Sequence, residues 1–473
     1  MGIQNFNGWL RSSYNNSYVK ELQNIDNLYI DLNCLLHKCG YKVDTSEQVI
    51  KRLKYNINNI LKVVNPSKSI IFASDGVPPL AKTLLQRKRR IASINKMCEE
   101  IKNISSLDFT VGSEFMNSLE DNLGEYVKDI EKKRKIQSIF LCDGPNEAEL
   151  KITYTIKQHK NGNHVIVSDD ADVILLASAI NVDNIYVLSY ENKKEKILSI
   201  DLLLNEHKKR TGCNRNDFVF VSLLLGNDYI PKLNFINIDI LWNAYINFKN
   251  NKEHINESII SSKGNLQLKY LKQYIMCIVR DTSSTLNKRT KINNINPGKV
   301  NKYIEGLIWC FQNYSEGTCQ KYDYVYNGKT IQPLQIVYSI ICENIKNITY
   351  PTPSCGPMDK DKYLILIMPR KAKKLVKQKY HDTIDNHLNF LYEEEECEKC
   401  KTYAKQINKL NKTIIICKNF LSHENDNDSN EKLNNMYLDA RTEISSVQKK
   451  LKEHKLTHSP VDIYKAIRIL NSI

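Results

Sequence analysis

The fold is indicated most clearly by the stretch H-V-I-V-S-D-D-A-D-V-I-L-L at residues 164–176. Its first part is β-branched and apolar, as in a buried strand, and its last part is a second apolar run that suits a helix. Three acids, Asp169, Asp170 and Asp172, stand where the strand should end. In open α/β sheets, ligands bind beyond the carboxyl ends of the strands. The stretch therefore predicts a parallel sheet with an acidic group at its carboxyl edge.

The same order of apolar strand, polar turn and helix recurs through the first half of the chain. Amphipathic segments that suit helices stand between the strands, for example at residues 46–63 and 148–158. This alternation is typical of a doubly wound α/β layer with a mostly parallel central sheet flanked by helices. The predicted strands cover residues 28–31, 69–74, 138–142, 164–168 and 184–188.

Acidic residues follow most of these strands. They occur in five short motifs, D-L-N, S-D-G-V-P, N-E-A-E, D-D-A-D and L-G-N-D-Y. Any one of these acids could be a helix cap or a turn residue, but five motifs at one predicted edge are poorly explained in that way. The predicted site consists of seven carboxylates: Asp31, Asp75, Glu147, Glu149, Asp170, Asp172 and Asp228. Asp169 is either a further ligand or the N-cap of the next helix.

Seven like charges in one place would repel each other unless cations are bound among them. Mg²⁺ prefers carboxylate and water oxygens, and several acids can serve two such ions, with Mn²⁺ as a possible substitute. Two ions roughly 4 Å apart activate water and stabilise the leaving oxygen of a phosphodiester. We therefore predict a metal-dependent nuclease centre in which the seven acids are the metal ligands and catalytic residues.

Composition favours a polyanionic substrate. The net charge is +15 and the pI is about 9.0, and a basic surface around an acidic site suits a nucleic acid held by its phosphates. Compositional drift is the alternative, because Asn, Lys and Ile are abundant, as AT-rich coding sequences produce. We find no apolar stretch of the ~20 residues that a membrane helix needs, and the first residues lack the pattern of a signal peptide. The 13 cysteines follow no framework spacing, so a cytoplasmic or nuclear location is expected.

A basic segment begins seven residues after Asp75. Lys82, Gln86, Arg89 and Arg90 are spaced at i, i+4, i+7 and i+8, which places them on one face of a helix. Such a face can hold a phosphate through Arg and Lys donors. The alternatives are a solvated basic helix and a nuclear-localisation run, which R-K-R-R matches. A pocket for a terminal phosphate next to the metals would favour an exonuclease over an endonuclease.

In this order, the motifs resemble those of the Xrn-type 5′→3′ exoribonucleases. The likeness includes the opening M-G-I-Q-N-F-N-G-W-L, the acidic motifs, and Y-I-E-G-L-I-W-C-F-Q-N-Y at residues 303–314. It extends over about residues 1–370, and its specificity comes from the set of motifs together.

The short chain would be a minimal member of that family, of the kind expected in a large DNA virus or an AT-rich eukaryote. A flexible loop is expected at residues 423–430. The resemblance implies an Xrn nuclease domain at residues 1–240, a helical extension at 241–380 that completes the cleft, and a polar helical tail at 381–473.

The resemblance also implies roles for individual residues. The seven acids would bind metal, and Lys82, Gln86, Arg89 and Arg90 would bind a 5′ monophosphate. His37 would stack on a base near the 5′ end; without the resemblance, an ordinary buried histidine is the simpler interpretation. The substrate would be 5′-monophosphorylated single-stranded RNA, degraded to 5′-mononucleotides by a monomer.

The chain departs from the family pattern in two places. The family's G-E-G-E-H is N-E-A-E-L here, which keeps both glutamates. The family's Trp-rich segment is replaced by Q-K-Y-D-Y-V-Y at residues 320–326. The aromatic partner of His37 is therefore open, with Tyr322 and Tyr324 as candidates.

Three other interpretations remain open at this point. M-G-I-Q, E-A-E and G-N-D-Y also resemble a flap-endonuclease-like, structure-specific DNA nuclease, although P-K-L-N-F-I-N-I after Asp228 does not suit the duplex-binding hairpin of that family. A catalytically inactive RNA-binding scaffold is disfavoured because all seven acids are present. In the tail, Cys397 and Cys400 could form half of a zinc site with Cys417 and His423, or be two reduced cysteines on a helix.

Overall fold

In the computed structural model the chain divides into two compact units. The first consists of Met1–Leu85 and Phe115–Met358, and the second of Gln86–Glu114 and Asp359–Ile473. These units are defined by packing, so the boundaries expected at residues 240 and 380 stay predictions. The structure describes residues 3, 5–96, 104–191, 194–286, 296–342, 348, 350–352, 356–393, 397–421, 427–455, 457 and 461–472.

A seven-stranded sheet forms the centre of the first unit, in the order β1-β7-β6-β5-β2-β3-β4. Strands β2 to β6 pair in parallel, whereas β6 with β7 and β7 with β1 pair antiparallel. The mostly parallel sheet confirms the predicted fold class. The strands are β1 (Tyr18–Val19), β2 (Asn27–Asp31), β3 (Ser69–Ala73), β4 (Gln137–Leu141), β5 (His164–Val167), β6 (Ile185–Glu191) and β7 (Lys194–Ser199).

The central strands are buried on both faces. Every residue of β2, β3 and β5 is buried, which is the usual state of a parallel sheet covered by helices on both sides. Their sequences are accordingly near-continuous apolar runs. The five strands expected from sequence match β2 to β6 within a few residues at each end, and β1 and β7 were not expected.

Helices connect the parallel strands β2 to β6 and make up most of the rest of the chain. Two helices expected from sequence have the predicted bounds, Ser46–Val63 and Ala148–Gln158. Helices α1 to α13 are Phe6–Ser13, Leu32–Cys39, Ser46–Val63, Leu80–Lys96, Glu114–Arg134, Ala148–Gln158, Asp172–Ala179, Ile200–Thr211, Arg215–Leu223, Ile238–Lys249, Leu268–Leu286, Pro297–Glu316 and Pro333–Cys342. Within the described residues, no helix has both the length and the apolar character needed to cross a membrane.

The part of the second unit after residue 358 is helical and contains a hairpin of two long helices. Its helices are α14 (Lys360–Ile367), α15 (His381–Asn386), α16 (Glu398–Leu421), α17 (Asn427–Lys455) and α18 (Ile463–Asn471). Helices α16 and α17 run antiparallel, because Cys397 lies against His454 and Lys418 lies against Tyr437. Residues 427–430 belong to α17, so the structure differs there from the expected loop, and residues 423–426 lie outside the described residues.

Candidate metal centre

Strand register brings the first acids to one edge of the sheet. Asp31 is the last residue of β2 and lies opposite Ala73, the last residue of β3. Asp75 follows β3 by two residues. Ile30 lies opposite Val167, which ends β5, and Asp170 follows three residues later. Because all three strands are parallel, these acids share the carboxyl edge, as predicted.

Asp31 is held rigidly in this edge. Its side chain is 2% exposed and caps helix α2, where Oδ1 accepts from the amide of Cys34 at 3.0 Å. Oδ2 accepts from the hydroxyl of Ser168 at 2.9 Å. A cap and a hydroxyl donor together fix the rotamer of this carboxylate.

The turn at Asp75, which follows β3, is hydrogen-bonded to the start of α6. The amide of Asp75 donates to Asn33 Oδ1 at 2.9 Å, and Asp75 Oδ1 accepts from the amide of Ala148 at 2.9 Å. The next residue, Gly76, packs so closely that a Cβ there would lie 2.2 Å from the carbonyl oxygen of Gly144. Glycine is thus required for the two acidic turns to approach each other.

Two acids of the D-D-A-D motif, Asp169 and Asp172, have different surroundings. Asp169 pairs with Lys38, and its Oδ1 accepts from the amide of Tyr190 at 2.9 Å, so it acts as a structural group. It is not the N-cap of α7, a position that Ala171 occupies. Asp172 is the first residue of α7, and its Oδ1 is buried without a hydrogen-bond partner among the described residues.

Lys82 joins the remaining acids. Its Nζ lies 2.9 Å from Glu147 Oε1 and 2.5 Å from Asp228 Oδ2, and the residue is 8% exposed. Tyr229 donates its hydroxyl to Glu147 Oε2 at 2.7 Å. Lys82 was predicted to bind phosphate; in this structure it forms ion pairs with two of the predicted metal ligands, Glu147 and Asp228.

The acids of the centre raise one another's pKa. Burial, together with Asp75, raises the pKa of Asp31 to about 7. Burial and Glu147 raise the pKa of Asp75 to about 6, and burial and Asp170 raise that of Asp172 to about 7. The pKa of Glu149 is raised by burial and by Asp31.

These mutual effects extend to Asp228, which contributes to the raised pKa of Asp172. Every one of the seven predicted acids therefore takes part in one electrostatic network, and their role as metal ligands stays a prediction. Burial lowers the pKa of Lys82, but Glu147 and Asp228 outweigh it and hold the pKa above its ordinary value.

A divalent cation fits this arrangement. A cavity of about 20 Å³ is lined by Lys82 and by four of the acids, Glu147, Glu149, Asp170 and Asp172, and it has room for one water-sized species. One oxygen of Asp172 has no partner among the described residues, and the pKa values of several acids are raised, so Lys82 and Lys151 together do not balance the carboxylates of the centre. Oxygen ligands alone, several of them carboxylates, are the donor set of a hard cation such as Mg²⁺ or Mn²⁺.

The predicted phosphate-binding residues lie on α4. In the second unit, Arg90 donates Nη1 to the carbonyl of Ser106 at 3.1 Å, and Gln86 and Arg89 are partly exposed. Their neighbour Arg87 is buried and donates to the carbonyls of Leu366 and Leu391. The run R-K-R-R thus contains one buried arginine, Arg87, which its charge pattern alone did not distinguish.

The predicted base-stacking residues have different surroundings. His37 is exposed on α2, so the interpretation as a buried histidine is wrong. Tyr324 stacks on Trp309, with ring centroids 5.0 Å apart, and Tyr322 donates to Asn146 Oδ1 at 2.7 Å. Both tyrosines therefore make contacts within the first unit, and the partner of His37 stays a prediction.

Some residues of the centre were not predicted. Lys151 is buried and donates to the carbonyl of Ser74 at 3.0 Å, and its charge lowers the pKa of Asp75. Tyr229 and Asn33 hold acids by hydrogen bonds. Lys151 follows the motif N-E-A-E by two residues, and Tyr229 is the last residue of L-G-N-D-Y. This closeness to the acids was the available signal in the sequence.

Comparisons with known proteins agree with the resemblance. Residues 1–191 match the family model described as XRN 5'-3' exonuclease N-terminus. The 5'-3' exoribonuclease 1 of Saccharomyces cerevisiae is 28% identical over 272 residues, which cover 45% of this chain and 18% of that protein. The human 5'-3' exoribonuclease 1 is 24% identical over 346 residues, which cover 58% of this chain and 20% of the human protein. The aligned region is thus about a fifth of the length of these relatives.

Several solved nuclease structures are similar at low identity. The catalytic core of Rad2 in complex with a DNA substrate is 14% identical, with a TM-score of 0.41, over 78% of this chain and 99% of that one. Human GEN1 in complex with Holliday junction DNA is 13% identical, with a TM-score of 0.36; the similarity covers 89% of this chain and 81% of the GEN1 chain.

Proposed function

Because the N-terminal part of this chain is of the Xrn type, we propose that the protein is a metal-dependent exoribonuclease that degrades RNA from its 5′ end. The observation that carries this proposal is the network of seven carboxylates around the carboxyl edge of the sheet, of which Asp31 is buried and the other six are partly buried. One cation, Lys82, bridges two of them, and Asp172 keeps one oxygen without a partner among the described residues.

We propose that the acids hold two Mg²⁺ ions, which supply an activated water and stabilise the leaving oxygen of the phosphodiester. The protein's own contribution is to fix the acids before substrate arrives. Ser168 and the Cys34 amide orient Asp31, and Tyr229 orients Glu147. Metal binding would compete with the Lys82 ammonium for Glu147 and Asp228, which would free this cation to face a phosphate.

The direction of degradation would come from helix α4. We propose that Lys82, Gln86, Arg89 and Arg90 bind the 5′ monophosphate, since Arg and Lys are the usual phosphate donors. A pocket for one phosphate would reject capped and triphosphorylated ends. His37, which is exposed on α2, would stack on a base without regard to its identity, as progressive degradation requires. We expect a monomer that acts in the cytoplasm or the nucleus.

The pocket is tested by comparing Arg89→Ala with Lys88→Ala, a matched control in the same basic run whose side chain is exposed. Rates on 5′-phosphate and 5′-hydroxyl RNA of one sequence are measured for each protein. Arg89→Ala should reduce the preference for the 5′ phosphate about tenfold or more, the equivalent of about 1.4 kcal/mol or more. Lys88→Ala should keep the wild-type preference, and an equal loss in both variants would contradict the assignment.

The catalytic role of the acids is tested with Asp170→Ala. This variant should lose hydrolysis, because Asp170 lines the cavity of the centre, while its affinity for RNA stays within a few-fold of wild type. Affinity is measured by fluorescence anisotropy with a labelled 5′-phosphate RNA. Retained hydrolysis would remove Asp170 from the metal ligands.

A further inference from the structure

A second group of possible metal ligands lies in the tail, in the helical hairpin of the second unit. Cys397 immediately precedes α16, Cys400 lies in its first turn, and His454 lies in the last turn of α17. Their ligand atoms all lie within 4.8 Å of one another. The Sγ of Cys397 is 3.2 Å from Nε2 of His454. Three soft or borderline donors from two helices thus meet at one point.

We propose that Cys397, Cys400 and His454 bind one Zn²⁺ ion. Tetrahedral zinc with Zn–S near 2.3 Å and Zn–N near 2.0–2.1 Å holds its ligand atoms about 3.5–3.8 Å apart. Sγ of Cys397 and Nε2 of His454 are 3.2 Å apart, and no two of the three ligand atoms are more than 4.8 Å apart, so small side-chain rotations suffice to reach this range. The C-x-x-C spacing is a usual half of a zinc site, and the start of a helix favours the thiolate form.

The structure also corrects the partners expected from sequence. Cys417 was a candidate ligand, but it lies on the same helix as Cys400, 17 residues further on. At 1.5 Å per residue this is about 25 Å away, which excludes it. His423 lies outside the described residues. His454 is 54 residues from Cys400 in sequence, and only the antiparallel hairpin brings it near.

The position of the site suggests its use. Helix α16 ends and helix α17 begins at one end of the hairpin, and the three ligands are at the opposite, open end. Tyr403 packs edge-on near His454, with centroids 6.4 Å apart at 64°. An ion there would link the start of α16 to the end of α17 and close a loop of more than fifty residues. A cross-link that closes so long a loop lowers the conformational entropy of the unfolded chain more than one that closes a short loop.

Three ligands leave one tetrahedral position, which water can fill. The site is chemically distinct from the acidic centre, whose donors are all oxygen. Thiolate donors select zinc over magnesium, so the two sites should not exchange their ions. The proposal does not depend on the nuclease activity.

Cobalt(II) is the probe, because thiolate ligands give a sulfur-to-cobalt charge-transfer band that the carboxylates of the acidic centre cannot produce. The full chain is stripped of metal, kept reduced, and titrated with Co²⁺ and then Zn²⁺. We expect the charge-transfer band to saturate at one equivalent and to vanish when zinc is added. No band in the reduced, folded chain would overturn the proposal, including the case in which Cys397 and Cys400 serve only as a redox pair.

Variants identify the ligands. Cys400→Ser and His454→Ala should weaken cobalt binding by at least about 100-fold, since even outer-shell changes cost about 10–100-fold. Cys417→Ser is the matched control on the same helix and should bind as the wild type does. His454→Cys should restore binding with a stronger charge-transfer band, which a variant that merely misfolds would not do. Wild-type binding by His454→Ala would also overturn the proposal.

Discussion

Replacing Asp172 by asparagine should stabilise the metal-free protein at neutral pH while it abolishes hydrolysis. The pKa of Asp172 is raised from 3.8 to about 7, first by burial and then by Asp170. Below about pH 4 the carboxyl is protonated in the folded and the unfolded chain, and its burial carries no ionisation penalty. Between about pH 4 and pH 7 the unfolded chain releases the proton and the folded chain keeps it, so the folded state loses stability as pH rises.

The size of this effect follows from the two pKa values. A difference of about 3 in pKa corresponds to up to about 4 kcal/mol at pH 8. Asparagine has no proton to release, so Asp172→Asn should gain up to about this amount at pH 8 and about nothing at pH 4. The free energy of unfolding of the first unit is measured by urea titration in EDTA at both values of pH.

Asp169→Asn is the matched control, since it is the same chemical change three residues away. Asp169 pairs with Lys38 and with the amide of Tyr190, so its loss should leave stability unchanged or lower at both values of pH. Equal stabilisation by the two variants, or destabilisation of Asp172→Asn at pH 8, would refute the idea that Asp172 carries uncompensated charge in a metal-free centre.

Further predictions concern the same centre. Lys82→Met should destabilise the metal-free protein by about 3–5 kcal/mol at neutral pH, because it leaves Glu147 and Asp228 as buried charges without their cation; urea titration measures this, and a loss under 1 kcal/mol would contradict it. Gly76→Ala should sharply reduce activity and stability, since its Cβ would lie 2.2 Å from the carbonyl of Gly144; normal activity and melting temperature would show that the turns can separate. Added Mg²⁺ should raise the melting temperature more at pH 8 than at pH 5, because protons compete with the metal for the acids. Calorimetry at both pH values measures the two rises, and a larger rise at pH 5 would contradict the prediction.

Much of the first unit could be predicted because its signals are local. Strands β2, β3 and β5 are apolar runs that end at acids, and the helix Ser46–Val63 has a capping Thr45 and buried residues at every fourth position, Val49, Leu53 and Ile57. Because parallel strands end at the same edge of a sheet, the acids that follow them could be predicted to lie close together without any measured distance.

Other features depend on contacts between distant segments, which local pattern does not encode. β1 has two residues and β7 begins with the charged K-E-K, so neither resembles a buried strand. Arg87 is indistinguishable in sequence from its basic neighbours, yet it is buried against the carbonyls of Leu366 and Leu391. The meeting of Cys397 and His454 likewise needs the hairpin, which sequence spacing could not show.

The most direct test of the proposed function is one assay of the purified full chain with Mg²⁺. It compares 5′-phosphate RNA, 5′-hydroxyl RNA, 5′-phosphate DNA and a DNA flap, all labelled at the 3′ end so that the direction of degradation is visible. We predict rapid release of 5′-mononucleotides from the 5′-phosphate RNA, at least about tenfold slower attack on the other three, and no reaction in EDTA. Equal degradation of 5′-hydroxyl and 5′-phosphate RNA, or preferred cutting of the flap, would contradict a 5′-phosphate-dependent exoribonuclease.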